Sequence, residues 1–225
     1  MSIVIPALNE EKAVKSVIGA LPTAELRAAG YEVEVLVVDN GSEDRTAELA
    51  REAGAEVVSE PRRGYGRAYK TGFDHATGDI IVTCDADMTY PTEDIPGLVA
   101  LLEEENLDFV TTDRLAMLEN GAMSRRNRLG NRVLTLATSI LFGIRLADSQ
   151  SGMWVFRRQL LERLVLRSDQ MPFSEELKIE ACRCDGCRWT EVPIHYRHRI
   201  GDPKLRHWTD GLLNLGYLMR KRILR

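Results

Sequence analysis

The sequence predicts an α/β fold, a mainly parallel sheet flanked by helices, and three observations predict it. Short β-branched runs alternate with helical stretches through residues 1–112, the pattern of strand–helix–strand units. Three of those runs end in polar clusters: Asn9-Glu10, Asp39-Asn40 and Asp85-Ala86-Asp87. In open α/β sheets ligands gather beyond the carboxyl ends of strands. The 225 residues, 44% hydrophobic and 28% charged, suffice for one domain with a full core and fall outside disordered compositions.

Taken in order, residues 2–7 form a buried strand ending in Pro-Ala. Asn9 is placed as the N-cap of a helix to about residue 20, with Glu10 and Glu11 favourable in its first turn. Residues 32–39 (EVEVLVVD) read as a central strand, 43–53 as a helix and 55–59 as a short strand. A helix over 67–76 follows the glycine-rich RRGYG, and the strand DIIVTC delivers Asp85 and Asp87 at its end. Thr92 is placed as the cap of a helix to residue 104, before a strand over 107–112. Beyond it, 124–142 begins basic and turns apolar, as a helix lying on an interface does. A strand over 153–156, helices over 158–166 and 174–184, and a strand over 188–196 follow. The tail from Leu205 mixes apolar residues with Arg220, Lys221, Arg222 and Arg225; it is either an interfacial helix or packed on the domain.

Charge is divided unevenly. Residues 1–112 carry 9 Lys and Arg against 22 Asp and Glu; residues 113–225 carry 21 against 12. An acidic half suits a divalent cation, and a basic half suits phosphates or anionic lipid. The longest apolar run, residues 133–144, is far short of the roughly 20 residues of a membrane span. No signal-peptide pattern opens the chain, so a cytoplasmic protein is expected. Three of the four cysteines lie in CRCDGC. Without a second pair of ligands, free thiols are expected rather than zinc.

The chemistry centres on Asp85-Ala86-Asp87. Carboxylates at i and i+2 point apart along a strand, so they converge only if the chain turns, and MTYP supports a turn. Mg²⁺ and Mn²⁺ sites combine one or two carboxylates with substrate phosphate oxygens. Asp39 reads either as an exposed carboxylate or as an acceptor for a base or ribose. Gly64 and Gly66, beside Arg63 and Lys70, either form a turn or bring backbone and cations against phosphate.

The blocks VIPALNEE, VVDNGSEDRT, RRGYGRAYKTG and GDIIVTCDADMTYP resemble the family 2 glycosyltransferases of the GT-A fold. RLGNRVLTLATSILFG, DSQSGMWVFRR and EVPIHYRHRIGDPKL are similar to the polyprenyl- and dolichyl-phosphate sugar synthases. The resemblance implies a single GT-A domain over 1–225, with 1–112 binding nucleotide-sugar and 113–225 binding acceptor. Pro6, Ala7, Asn9, Glu10, Asp39 and Asn40 would line the nucleotide pocket, joined by Gly64, Lys70 and Ala86. Asp85 would contact the donor and Asp87 the Mg²⁺ or Mn²⁺. Arg114 and Arg128 (or Arg132) match basic positions near an acceptor phosphate, and Arg199 and Lys204 a basic loop closing over the site. Thr89 stands where mannose-type relatives often have Gln, and Asp202-Pro203 where the loop often has Glu-Ser. Asp148 either binds sugar hydroxyls or fixes a turn; Glu176, in the pair Glu175-Glu176, is either catalytic or on a helix surface.

These expectations describe an inverting, peripheral enzyme on the cytoplasmic membrane face, with a UDP-sugar or GDP-mannose donor, a polyprenyl-phosphate acceptor and no nucleic acid. A phosphate monoester, second pKa roughly 6, needs no strong base. An alcohol acceptor would need one, from Glu176 or Asp148. A transferase acting on a sugar hydroxyl and a non-catalytic nucleotide-binding protein are the alternatives.

Overall fold

The computed structural model describes residues 1–201 and 207–223. Seven strands form one sheet in the order β3-β2-β1-β4-β6-β5-β7. They are β1 (Ser2–Ala7), β2 (Glu34–Asp39), β3 (Glu56–Ser59), β4 (Ile80–Thr83), β5 (Phe109–Leu118), β6 (Trp154–Arg157) and β7 (Trp189–Tyr196). β1 pairs parallel with β2 and β4, β2 with β3, and β5 with β7; β6 runs antiparallel between β4 and β5. The mainly parallel sheet expected from the sequence is present. Strand order reverses between β1 and β4, and that switch point opens a crevice at the carboxyl ends.

Alternation along the strands fills two layers. Ile3, Ile5, Val37, Val82 and Val155 bury on one face with Val14, Val17, Ile95 and Val99. These come from helices α1 (Val14–Ala20) and α5 (Ile95–Glu104). Val4, Val38, Ile81, Trp154 and Phe156 bury on the other, against Tyr69 and Phe73 of α4 (Tyr65–His75) and Phe173 of α7 (Phe173–Arg183). Gly72 lets α4 approach the sheet closely, since a Cβ there would lie 2.4 Å from Val4 Cγ1. A third cluster ties α6 (Arg125–Phe142) and α8 (His207–Ile223) to α7 through Leu134, Phe142, Ile179 and Leu218.

Several local expectations are corrected. Asn9 does not cap a helix: its φ is 54°, its Oδ1 accepts from Glu43 N, and α1 begins later at Val14. Thr92 is no cap either; its Oγ1 donates to Ala20 O, and a 3₁₀ turn (Thr92–Asp94) precedes α5. Residues 158–163 form a 3₁₀ helix. Two short helices, α2 (Thr23–Ala28) and α3 (Thr46–Glu52), lie on the β1–β2 and β2–β3 connections, the first of them unanticipated. β5 runs six residues beyond its expected end because β7 continues to pair with it past an irregularity between Asp113 and Met117. Ser124, not singled out as a cap from sequence, caps α6, its Oγ accepting from Asn127 N.

Candidate active site

The turn after β4 brings the acidic residues together. Met88 adopts a left-handed conformation (φ 66°), and Asp87 Oδ1 accepts from Thr89 N at 3.0 Å and Thr89 Oγ1 at 2.5 Å. This Asx-type turn reverses the chain, so Asp87 buries its carboxylate beside Asp85 instead of opposite it. Burial and the neighbouring charge of Asp87 push the Asp85 carboxyl well above the usual carboxylate range, opposed by Arg199 and Arg114. The floor around Asp85 is closed by Tyr65, Tyr90 and Gly152. A Cβ on Gly152 would fall 2.4 Å from Tyr65 Oη and 3.4 Å from Asp85 Oδ1. Gly152 N donates to Tyr90 Oη, and its carbonyl accepts from Thr83 Oγ1. These three residues were not selected from sequence, although all of them lie inside blocks that carry the resemblance.

The loops after β1 and β2 are stitched together. Pro6 and Ala7 end β1, with Ala7 level with Asp39. Asn9 N donates to Ser42 Oγ and Glu10 N to Thr46 Oγ1. Asp39 Oδ1 accepts from Ser42 N, and the residue remains half-buried at the rim. Asn40 instead braces the following loop, donating to the carbonyls of Glu60 and Arg62 and accepting from Gly64 N at 2.7 Å. Its amide thus holds the loop that borders the pocket it was expected to line. Gly64 and Gly66 are required by packing: a Cβ would lie 2.2 Å from Asp169 O and 2.5 Å from Ser168 O, respectively. Lys70, expected near phosphate, pairs with Asp169, as does Arg67 at 3.0 Å.

The segment after β7 closes over the carboxylates. Ile200 N donates to Asp87 O at 2.9 Å and Arg197 N to Thr89 O at 3.0 Å. Arg199 then lies between two acidic groups, Nη2 at 2.5 Å from Asp87 Oδ2 and Nη1 at 3.2 Å from Glu10 Oε1. Asp85, Asp87, Glu10 and Arg199 are thus drawn into one cleft, with Ala86 buried behind them. Lys204 lies outside the described residues.

Three further expected positions are occupied by other work. Asp148 is fully buried and gripped by Arg114, whose Nε and Nη2 donate at 2.7 and 3.0 Å. Burial alone would raise the Asp148 carboxyl, but the charge and hydrogen bonds of Arg114 hold it down at about 2. Asp148 Oδ1 also accepts from Gln150 N, the turn-fixing role that the sequence offered beside sugar binding, and two of the Arg114 nitrogens are committed to it. Glu176 accepts from Arg167 N, Ser168 N, Tyr217 Oη and Lys221 Nζ, a saturated carboxylate unsuited to proton abstraction. Arg128 and Arg132 stand exposed on α6. The four cysteines are free thiols. A cavity of about 660 Å³ opens at the opposite end of the sheet, lined by Met1, Glu32, Asp79 and Arg157, away from this chemistry.

The sequence profile described as glycosyl transferase family 2 matches residues 2–165. The chain belongs to that family. Among similar proteins, the dolichyl-phosphate hexose transferase of Haloferax volcanii is 35% identical over 94% of this chain and 89% of its own. The low-salt glycan biosynthesis hexosyltransferase Agl6 of the same organism is 34% identical over 97% of this chain, which spans only 53% of that protein. The undecaprenyl-phosphate 4-deoxy-4-formamido-L-arabinose transferase of Enterobacter is 32% identical, over 96% and 65%. Glucosyl-3-phosphoglycerate synthase from Mycobacterium tuberculosis, solved with Mg²⁺ and uridine diphosphate, superposes with a TM-score of 0.78. It is 27% identical and covers 98% of this chain and 78% of its own. The GT-A arrangement of this family 2 chain is therefore established.

Proposed function

We propose that this protein transfers a hexose, with inversion, from a nucleoside-diphosphate sugar to a polyprenyl-type phosphate at a membrane surface. The observation that carries the proposal is the meeting of Asp85, Asp87 and Glu10 beyond β1 and β4, at the switch point. Carboxylate oxygens are hard donors suited to Mg²⁺ or Mn²⁺. Asp87 Oδ2 is buried without an aligned hydrogen-bond donor, and Arg199 already supplies a positive charge against it. The residues fit a divalent cation held chiefly by Asp87. Such a cation supplies charge that stabilises a departing diphosphate. The relatives named for dolichyl- and undecaprenyl-phosphate chemistry, and the neighbour solved with Mg²⁺ and uridine diphosphate, support both halves of the reading.

The reaction is a single displacement. An acceptor phosphate oxygen forms a bond to the anomeric carbon while the bond from that carbon to the diphosphate oxygen breaks, and the nucleoside diphosphate leaves. Near neutral pH the attacking phosphate is already largely a dianion. That agrees with a cleft where Asp148 is locked to Arg114 and Glu176 is saturated by four donors. Neither is available to deprotonate a sugar hydroxyl. Asp39 is the remaining candidate for the base or ribose, and Arg128 and Arg132, near the start of α6, for the lipid phosphate.

The lipid side is supported by α6 and α8. Leu129, Val133, Leu136 and Ile140 form one stripe along α6, each between 51% and 72% exposed. α8 seats Leu218 in the core yet also carries apolar residues on its outer face. Its Asn214, Tyr217 and Lys221 turn inward, to Gln150 and Glu176, while Leu212, Leu213, Met219 and Ile223 face out. Arg220 and Arg222 flank that apolar face, as in helices that lie in a headgroup layer. No described helix is long and apolar enough to cross a membrane. The test is incubation with radiolabelled nucleotide sugars, Mn²⁺ and a polyprenyl phosphate, followed by lipid extraction. Label in the lipid phase supports the proposal; label appearing only as free sugar or on a water-soluble acceptor counts against it.

A further inference from the structure

The cleft already holds one cation, and it belongs to the chain. The Arg199 guanidinium spans Asp87 Oδ2 at 2.5 Å and Glu10 Oε1 at 3.2 Å. Its loop is fastened by Ile200 N to Asp87 O and Arg197 N to Thr89 O, and Arg197 pairs with Glu93 beyond. Gly201, at φ 95°, allows the chain to turn against Glu10, where a Cβ would come within 3.3 Å of Oε2. The same Asp87 oxygen that the proposed function gives to a divalent metal is therefore covered by a guanidinium.

We propose that Arg199 is an exchangeable counter-cation, bound to Asp87 and Glu10 when the metal is absent and displaced from Asp87 when it binds. The inference rests on the assignment of Asp87 to a metal. A divalent cation held by Asp87 and a guanidinium on the same carboxylate oxygen would repel each other, so the two states would exclude one another. Without metal, Arg199 neutralises an acidic cleft that would otherwise push its carboxylates apart or into protonation. Once displaced it needs a new anion, and a nucleoside diphosphate is a good one, because the guanidinium fork matches phosphate oxygens. Metal and nucleotide then bind synergistically: each removes the partner whose loss makes the other's entry costly. An empty cleft stays closed, and neither ligand alone opens it efficiently.

The experiment measures free Mn²⁺ by electron paramagnetic resonance, with and without UDP or GDP, for the wild type and for Arg199→Gln, Arg199→Lys and Asp87→Asn. A closed state populated nine-tenths of the time weakens apparent affinity about tenfold. Arg199→Gln is therefore expected to bind Mn²⁺ alone about tenfold more tightly than the wild type. The further gain given by nucleotide should shrink in that variant. Arg199→Lys, which keeps the charge but cannot bridge both carboxylates, should fall between them. In the transfer assay, Arg199→Gln should lower both kcat and the Mn²⁺ concentration at half-saturation, a split that simple loss of structure would not produce. Thermal melts identify any variant that fails to fold, and Arg199→Lys then carries the comparison. Unchanged or weaker Mn²⁺ binding by folded Arg199→Gln would overturn the exchange while leaving the metal assignment standing. Undiminished Mn²⁺ binding by Asp87→Asn in the presence of nucleotide would overturn both.

Discussion

Arg114→Met is the substitution that most sharply separates a buried structural pair from a ligand-binding arginine. Asp148 is 0% and Arg114 8% exposed, and two charged hydrogen bonds at 2.7 and 3.0 Å join them. The Asp148 oxygens also accept from Arg114 N and Gln150 N. Removing the guanidinium leaves a buried carboxylate with only Lys178, on the Asp148 carbonyl, as counter-charge, a loss of about 3–5 kcal/mol. For a chain of this size, with about 2–4 °C per kcal/mol, the melting temperature should fall by roughly 10 °C. The pair also leaves an acid signature. Because the folded-state pKa of Asp148 is depressed to about 2, its contribution is fully present above the unfolded value near 4 and is lost as pH falls through 2. The shift is worth roughly 2–3 kcal/mol. Urea unfolding followed by circular dichroism between pH 7 and pH 2 measures both effects. Arg114→Met should flatten the acid limb, and Arg114→Met with Asp148→Leu should recover most of the loss, since a buried ion pair replaced by apolar groups is often nearly neutral. A cost below about 1 kcal/mol for Arg114→Met, with the acid limb intact, would refute the pairing and return Arg114 to the acceptor site.

Two other expectations concern a buried carboxyl and an exposed apolar face. Burial pushes the Glu175 carboxyl up to about 8, opposed by Gln150 and Lys178. A folded pKa above the unfolded one gives stability that is complete below about 4.5 and lost as pH rises towards 8. Glu175→Gln should therefore raise stability by roughly 2–4 kcal/mol at pH 8 and little at pH 4.5, read from urea midpoints at the two pH values; equal midpoints at both would contradict the burial argument. On the outer face, Leu136→Gln with Ile140→Gln removes two apolar groups that would each gain about 1.5–3 kcal/mol on entering lipid, without adding charge that anionic lipid would attract. Sedimentation with anionic vesicles should weaken at least tenfold while the melting temperature changes little. Vesicle binding equal to wild type would show that α6 faces something else.

The central strands and the acidic cluster were legible because local chemistry decides them. Continuous β-branched runs make β1, β2 and β4, and a strand ending in Asp-Ala-Asp followed by Met-Thr-Tyr-Pro gives the turn that Met88 and Thr89 complete. What was not legible depends on partners distant in the chain. Arg114 and Asp148 each looked like ligand residues, since nothing local shows that they neutralise one another across 34 positions. Glu176 read as either catalytic or superficial, and its burial is not local information, because donors from α8 and from residues 167–168 reach it only once α7 has packed. Asn9 had the composition of a cap, but the loop after β2 competes for its side chain. α8 carries apolar residues on both sides, so its seating is not local information; it is set by Leu218 in the core and by Gln150 and Glu176, which hold Asn214, Tyr217 and Lys221.

Asp87→Asn, assayed for metal-dependent transfer from nucleotide sugar to polyprenyl phosphate, tests the account most directly. The substitution keeps the side chain's shape and an oxygen to accept from Thr89 but removes the charge that the cation and Arg199 share. Transfer should fall by at least about a thousandfold, in the range seen when a preorganised electrostatic group is removed, with the melting temperature close to wild type. Transfer at the wild-type rate by this variant, or an undiminished rate for the wild type in metal-free buffer, would contradict it.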